Sequence, residues 1–415
     1  MSKIKNIAHF SVHGYFDPVP ILGRTDTGGQ VTYVLELSKY LAKIDDIKVD
    51  IYTRQFEGRE TIAPVNDRVR VVRLPCGPDK FIRKEDMFPH WDEFVDNTEA
   101  FFKENGLSYD VLHGHYWDAG YACMKLSERL GQPYFYTAHS LGAWKKEQMG
   151  GDPAEMEKLF KFEERIHWEN ILFREAAAHT VTTEDGQNTY KRLYDFETPH
   201  MDIIPPGVDI HRFRPLEPGE KERELDTPDK YVFCLSRIDS NKGHAELIRA
   251  FANVVKQVPD AYLVIGGGSK EPKQHEIDVR KSFVKIVDEL SIGERVIFTG
   301  YVHDDDLATY YRKANLFVLP SKYEPFGMTT LEAMACGTPV AATKFGGIRK
   351  NLQDEYDALM VDPTDEQDFA TAITRVLTDE ALSNKLVENG LKTIRERFSW
   401  EAIAATTLKF YERYV

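Results

Sequence analysis

Short apolar runs alternate along this chain with longer stretches in which apolar residues recur every three or four positions. The short runs read as buried strands and the longer ones as helices laid over them. In the first half the predicted strands are Ile7–Val12, Val49–Thr53, Val69–Leu74, Asp110–His113, Tyr134–Ala138, Thr180–Thr183 and Asp202–Ile204. The stiff turn Pro205-Pro206-Gly207-Val208-Asp209 and a polar stretch, Glu217–Lys230, interrupt the pattern, and the domain boundary is expected there. A second series follows: Tyr231–Leu235, Ala261–Gly266, Val296–Gly300, Leu316–Leu319, Val340–Thr343 and Ala358–Val361. Strands alternating with helices predict α/β architecture, here two doubly wound, Rossmann-like parallel sheets, which bind ligands beyond the carboxyl ends of their strands. The last helix, Trp400–Tyr414, is rich in Ala, Leu, Phe and Tyr and must dock its apolar side somewhere.

Composition narrows the class. A chain of 415 residues exceeds one ordinary core. Its 42% hydrophobic content and mean hydropathy of -0.44 suit a soluble globular protein, and no apolar run approaches the roughly 20 residues that span a bilayer. The first residues lead directly into a strand and leave no room for a signal peptide, so a cytoplasmic location is expected, without integral membrane association. Cys76, Cys123, Cys234 and Cys336 lie far apart and are read as reduced and structural. A formal charge of -14 argues against nucleic acid as a partner; a phosphorylated substrate would need a local basic pocket.

The most informative stretch is Ser321–Val340. It reads as a strand end, a bend through Pro325 and Gly327, a short helix, and a turn into the next strand. Phe326, Gly327 and Met328 are expected to offer free backbone N–H groups at the helix start, where an anion such as a diphosphate is favoured. Glu324 and Glu332 frame that end. Carboxylates repel phosphate and accept strongly from hydroxyls, so the combination suits a sugar nucleotide. A helix capped by Thr329 or Thr330, with solvated glutamates, is the alternative.

Other segments carry weaker signals. Gly28 and Gly29, followed by Gln30, open a helix near Val31, where a ligand could approach the backbone. Basic residues gather in the first domain: Lys80, Arg83 and Lys84 in one loop, Lys145 and Lys146 in another, and Arg165 on the following helix. Singly they read as surface charges; together they could hold a phosphomonoester. His139 stands at a strand end. His113, His115 and Asp118 are read as a strand end, not as metal ligands. Arg237 and Lys242 follow the first strand of the second domain, where two cations could neutralise a diphosphate leaving group. Asp304-Asp305-Asp306 is read as favourable charge at a helix N-terminus; no metal or other cofactor is expected.

Several stretches carry a resemblance. The Glu324–Glu332 segment resembles the signature of retaining nucleotide-sugar glycosyltransferases of the GT-B fold. Thr25–Gln30, His115–Gly120, His139–Lys146 and Pro205–Val208 are similar to bacterial sucrose-phosphate synthases and mannosylfructose-phosphate synthases. The resemblance spans essentially the whole chain. It implies two Rossmann-like domains facing across a cleft: an acceptor-binding domain of residues 1–208 plus 399–415, with the last helix crossing back, and a nucleotide-sugar domain of residues 209–398. It implies a metal-independent, retaining hexosyltransferase acting on fructose 6-phosphate, with UDP-glucose as the expected donor. GDP-mannose as donor, or free fructose as acceptor, are the alternatives within the class; a sugar-nucleotide epimerase or a non-catalytic sensor lies outside it. By the same resemblance His139, Arg237, Lys242 and Glu324 are catalytic. Gly28, Gly29, Arg237, Lys242, Glu324, Phe326, Gly327, Met328, Thr329 and Glu332 hold the donor, with Glu324 on the transferred sugar and Glu332 on the ribose. Gly28, Gln30, Lys80, Lys145 and Arg165 hold the acceptor. His167 stands where some relatives have a second arginine, and oligomeric state is not legible.

Overall fold

Alternate residues of the first strand, β1 (Asn6–Phe10), serve two different cores. Ile7 packs with Val49 and Ile51 under the helices Gly29–Leu41 and Trp400–Tyr411. Ala8 and Phe10 pack on the opposite face with the helices Trp91–Glu104 and Trp117–Leu130. The period of two thus produces a sheet buried on both faces, as parallel sheets are.

The computed structural model describes residues 3–19, 29–149, 151–272, 274–324 and 326–415, so the expectations for Gly28 and Pro325 fall outside the described residues. The chain divides into two units, Met1–Gly207 with Trp400–Val415, and Val208–Ser399. In the first, β2 is Lys48–Gln55, β3 Ile62–Asn66, β4 Val69–Pro75, β5 Val111–His115, β6 Tyr134–Thr137, β7 Ala178–Val181 and β8 Met201–Ile203. Their order is β3-β4-β2-β1-β5-β6-β7-β8, parallel except for β3. In the second, β9 is Tyr231–Leu235, β10 Tyr262–Gly266, β11 Val296–Gly300, β12 Leu316–Leu319, β13 Val340–Thr343 and β14 Leu359–Val361. The order β11-β10-β9-β12-β13-β14 is parallel throughout.

Every strand expected from the sequence is present, and β3 is an addition. It is a largely exposed antiparallel edge carrying Pro64, which has no N–H for a ladder, so its sequence lacks the apolar run of a buried strand. β7 lies two residues earlier than expected because Thr183 is spent as a helix cap, its Oγ1 accepting from Gly186 N at 3.0 Å.

The last helix buries Trp400, Ile403, Ala404, Thr407, Leu408 and Tyr411, an i, i+3/i+4 stripe, in the first unit. There the Tyr411 hydroxyl stands between His113 Nδ1 (2.6 Å) and His9 Nε2 (3.2 Å).

Candidate active site

Strand order decides where each unit can bind a ligand. In the first unit β1 has β2 on one side and β5 on the other; in the second, β9 lies between β10 and β12. Successive connections leave in opposite directions at such a point, and the diverging loops open a crevice at the strands' carboxyl ends.

At the β9/β12 point the two loops are tied together, Lys322 N donating to Asn241 O at 3.1 Å. Asp239 caps the short turn Ser240–Lys242, and Gly243 follows with φ 73°. A Cβ on Gly243 would lie 1.8 Å from the Pro320 carbonyl oxygen, so only glycine lets the loops close. Closure brings Lys242 Nζ to 3.1 Å from Glu324 Oε2, and both side chains are largely shielded. Ser321 Oγ donates to the same oxygen at 3.3 Å, and Gly327 N donates to Glu324 Oε1 at 3.2 Å. The Gly327 N–H is therefore not free as expected: the Glu324 carboxylate occupies that end of the helix Met328–Ala335. The backbone of Glu324 is held in turn by Phe345 O, which accepts from its N at 3.2 Å.

Glu332, on the same helix, accepts from the Tyr311 hydroxyl at 2.9 Å. Burial pushes its carboxyl up from 4.5 to about 7, against the Tyr311 hydrogen bond, which favours the ionised form. A carboxyl that binds its proton more tightly in the fold costs stability as pH rises from 4.5 through about 7, and no more above that. Glu332→Gln is therefore expected to raise Tm more at pH 8 than at pH 5; equal shifts at both values would mean the carboxyl is not perturbed.

Arg237 is exposed and makes no side-chain ion pair among the described residues. Phe326 is buried and Met328 and Thr329 half-buried. A cavity of about 380 Å³, lined by Ile238, Gly267, Phe298 and Tyr301 among others, opens at the carboxyl ends of β9 to β11. Asp304-Asp305-Asp306 occupies the first turn of the helix Asp304–Lys313, with Arg212 3.5 Å from Asp304 and Arg223 2.9 Å from Asp306.

At the β1/β5 point two non-glycine residues carry positive φ, Tyr116 at 84° and His139 at 55°. Such conformations cost of order 1–3 kcal/mol each and persist where surrounding contacts impose them. His139 Nε2 lies 3.0 Å from His115 Nδ1 and its ring packs edge-on to Tyr33; burial, with His13 nearby, pulls its pKa down to about 3, so the ring is neutral. Gln30 Nε2 donates to Ser11 Oγ (3.1 Å) and to the His115 carbonyl (3.0 Å), leaving its Oε1 for any further partner. Gly29 has open space where a Cβ would stand.

His13, three residues beyond β1, pairs through Nδ1 with Asp118 Oδ2 at 2.8 Å, both buried. This pair was not foreseen as such. Its signal is positional, since each residue follows one strand of the switch point, and strand order is not written in a sequence. His9, His113 and His115 bring ring nitrogens within 4.8 Å of one another. Both nitrogens of His9 and both of His113 are engaged by the hydroxyls of Ser38, Tyr411 and Thr137.

The expected acceptor cations are only partly gathered. Arg165 is buried, its Nε 2.8 Å from Glu169 Oε1, its Nη2 donating to Ser140 O at 2.6 Å, and its guanidinium over the Tyr116 ring. Its charge is thus already matched by a buried carboxylate, which also accepts from Gly142 N and the Tyr194 hydroxyl. Lys145 lies one turn along the adjoining helix Gly142–Gln148, 4.7 Å from the Phe160 ring centroid. Lys80 is exposed in the loop after β4, and His167 is exposed as well.

Residues 27–212 match the family model described as Glycosyltransferase Family 4, and residues 218–393 the one described as Glycosyl transferases group 1. Mannosylfructose-phosphate synthase from Agrobacterium fabrum is 39% identical over 99% of this chain and 92% of its own length. The chain belongs to glycosyltransferase family 4. A D-inositol 3-phosphate glycosyltransferase from Corynebacterium jeikeium is 31% identical to this glycosyltransferase over 98% of the chain and 96% of its own length. Among solved structures, sucrose-phosphate synthase from Thermosynechococcus elongatus superposes with a TM-score of 0.73 at 31% identity, covering 99% of this chain and 98% of that one. The two parallel-sheet units are those of the GT-B fold.

Proposed function

We propose that this glycosyltransferase moves a hexosyl group, with retention of configuration, from a nucleotide sugar to fructose 6-phosphate. The observation that carries the reading is the cluster at the β9/β12 switch point, where Lys242, Glu324 and the start of the helix Met328–Ala335 converge. Breaking the anomeric C–O bond leaves an oxocarbenium-like sugar and places new negative charge on the departing diphosphate. Lys242 and Arg237 supply positive charge for it, and N–H groups of the helix start add to the field. Glu324, held by Lys242, Ser321 and Gly327, accepts from hydroxyls of the transferred sugar, and Glu332 from those of the ribose. His139 hydrogen-bonds the transferred sugar. The acceptor hydroxyl attacks on the face the phosphate leaves, and a phosphate oxygen takes its proton.

A phosphorylated polyol is common to the activities for which the relatives above are named, which supports a phosphomonoester acceptor. For the donor, GDP-mannose is favoured by the 39% identity to the relative named for mannosyl transfer. UDP-glucose, giving sucrose 6-phosphate, is the second reading, favoured by the TM-score of 0.73 to the sucrose-phosphate synthase. Purified protein incubated with fructose 6-phosphate and each nucleotide sugar in turn is expected to form mannosylfructose phosphate from GDP-mannose. Faster product formation from UDP-glucose would establish the second reading, and nucleotide release without acceptor would point to an epimerase. The chemistry as written needs no divalent cation, so a chelator is expected to leave turnover unchanged.

Lys145 tests the acceptor side. Lys145→Glu is expected to raise KM for fructose 6-phosphate roughly tenfold to a hundredfold, the range for losing a charge-assisted hydrogen bond, with KM for the donor unchanged. Equal kcat/KM for fructose and fructose 6-phosphate would remove the phosphate pocket from the reading.

A further inference from the structure

His115 ends β5, is fully buried, and has one ring nitrogen, Nδ1, 3.0 Å from His139 Nε2. Its other nitrogen, Nε2, is buried and has no hydrogen-bond partner among the described residues. The rings of His113 and His9 surround it, at 4.2 and 5.2 Å between centroids. A neutral imidazole carries one N–H and one lone pair. Only one of the two contacting nitrogens can bring the proton, so two arrangements exist. If His139 donates, the His115 proton sits on Nε2, leaving a buried N–H with nothing to accept it. If His115 donates from Nδ1, the orphaned atom is a bare lone pair. Buried N–H groups without acceptors are rarer in folded proteins than under-satisfied acceptors. The second arrangement is therefore preferred.

We infer that His115 is a positioning residue for His139, donating from Nδ1 to His139 Nε2 and so fixing His139 as its Nδ1–H tautomer. The backbone of His139, at φ 55°, is restrained at the side-chain end by the same hydrogen bond. With Nε2 committed to His115, the one ring N–H that His139 can offer a sugar hydroxyl is at Nδ1. The binding consequence rests on the proposed contact between His139 and the transferred hexose; the tautomer does not.

The two parts are separable by experiment. Long-range ¹H–¹⁵N correlation spectra of histidine-labelled protein, with His139 assigned by its absence in His139→Gln, report which ring nitrogen carries the proton. Protonation at Nδ1 is expected in the ligand-free protein. Protonation at Nε2 overturns the inference outright and needs no other variant. His115→Asn, whose carboxamide nitrogen stands close to the position of Nδ1, is expected to preserve the His139 tautomer and the KM for the nucleotide sugar. His115→Phe is expected to release the tautomer to a mixture and to raise that KM about tenfold. An unchanged His139 tautomer in a folded His115→Phe protein also overturns the inference. If the tautomer behaves as stated but His139→Gln leaves donor kinetics intact, the sugar contact fails and the positioning role of His115 stands.

Discussion

Replacing Lys242 with alanine is expected to lower kcat by about 10²- to 10³-fold, the scale for removing one preorganised stabiliser of developing charge. Two losses combine in this variant. The departing diphosphate loses a cation, and Glu324 loses the ammonium 3.1 Å from its Oε2. Among the described residues Glu324 would retain only Ser321 Oγ and Gly327 N as partners, so its orientation toward the sugar would loosen as well. Lys242 and Glu324 should therefore act as a coupled pair: Lys242→Ala combined with Glu324→Gln is expected to cost clearly less than the sum of the single effects. Arg237 provides the contrast. It is exposed and has no ion-pair partner among the described residues, so Arg237→Ala should slow turnover yet combine additively with Glu324→Gln. KM for fructose 6-phosphate should be spared throughout. Near-native turnover in both Lys242→Ala and Arg237→Ala would end the assignment of these cations to the leaving group.

Charge reversal at Arg165 is expected to damage the fold before it damages binding. Arg165 and Glu169 form a buried pair at 2.8 Å, with Glu169 fully enclosed and also holding Gly142 N. Removing one member of such a pair leaves an uncompensated charge and costs about 3–5 kcal/mol. In a unit of this size each kcal/mol lowers Tm by about 2–4 °C. Arg165→Glu sets two carboxylates against each other and should reach at least the upper end. Arg165→Met should be nearly as costly alone, whereas Arg165→Met with Glu169→Leu removes both charges and should recover most of the loss. If Arg165→Glu melts with the parent protein, the pair contributes little and Arg165 is available for the acceptor phosphate. Lys145, on the helix Gly142–Gln148, gives an independent probe of acceptor binding.

Features set by local pattern were legible in the sequence. Buried strands announce themselves as apolar runs, and the helix Met328–Ala335 follows from its flanking turns. Features set by pairing across distance were not. Taken singly Arg165 reads as surface charge, and with Lys80 and Lys145 as a phosphate ligand, yet Phe162, Arg165, Glu169 and Leu172 recur at three and four residues along one face of the helix Phe162–Glu175. Two opposite charges inserted into an apolar stripe at i and i+4 are the mark of a buried pair, and that spacing was visible. The Gly327 N–H was expected to be free because a helix start is drawn without its neighbours; the carboxylate that takes it sits three residues upstream. No local signal announces the bond from Tyr411 to His113, which spans 298 positions.

That last bond bears on how the protein is made. The unit Val208–Ser399 is one continuous piece of chain, whereas the other unit is built from two separate segments, Met1–Gly207 and Trp400–Val415. On the ribosome the first 207 residues emerge long before Trp400–Val415, so His9 and His113 must wait for the Tyr411 hydroxyl, and the apolar seat of Trp400 stays open. Of these two units, the one whose sheet is translated earlier is thus completed later, reversing the usual order in which nascent domains close from the N-terminus. The helix Trp400–Tyr411 acts as the fastening of a domain whose sheet begins at residue 6, and a nascent chain halted at Ser399 would hold one finished domain and one unsealed one.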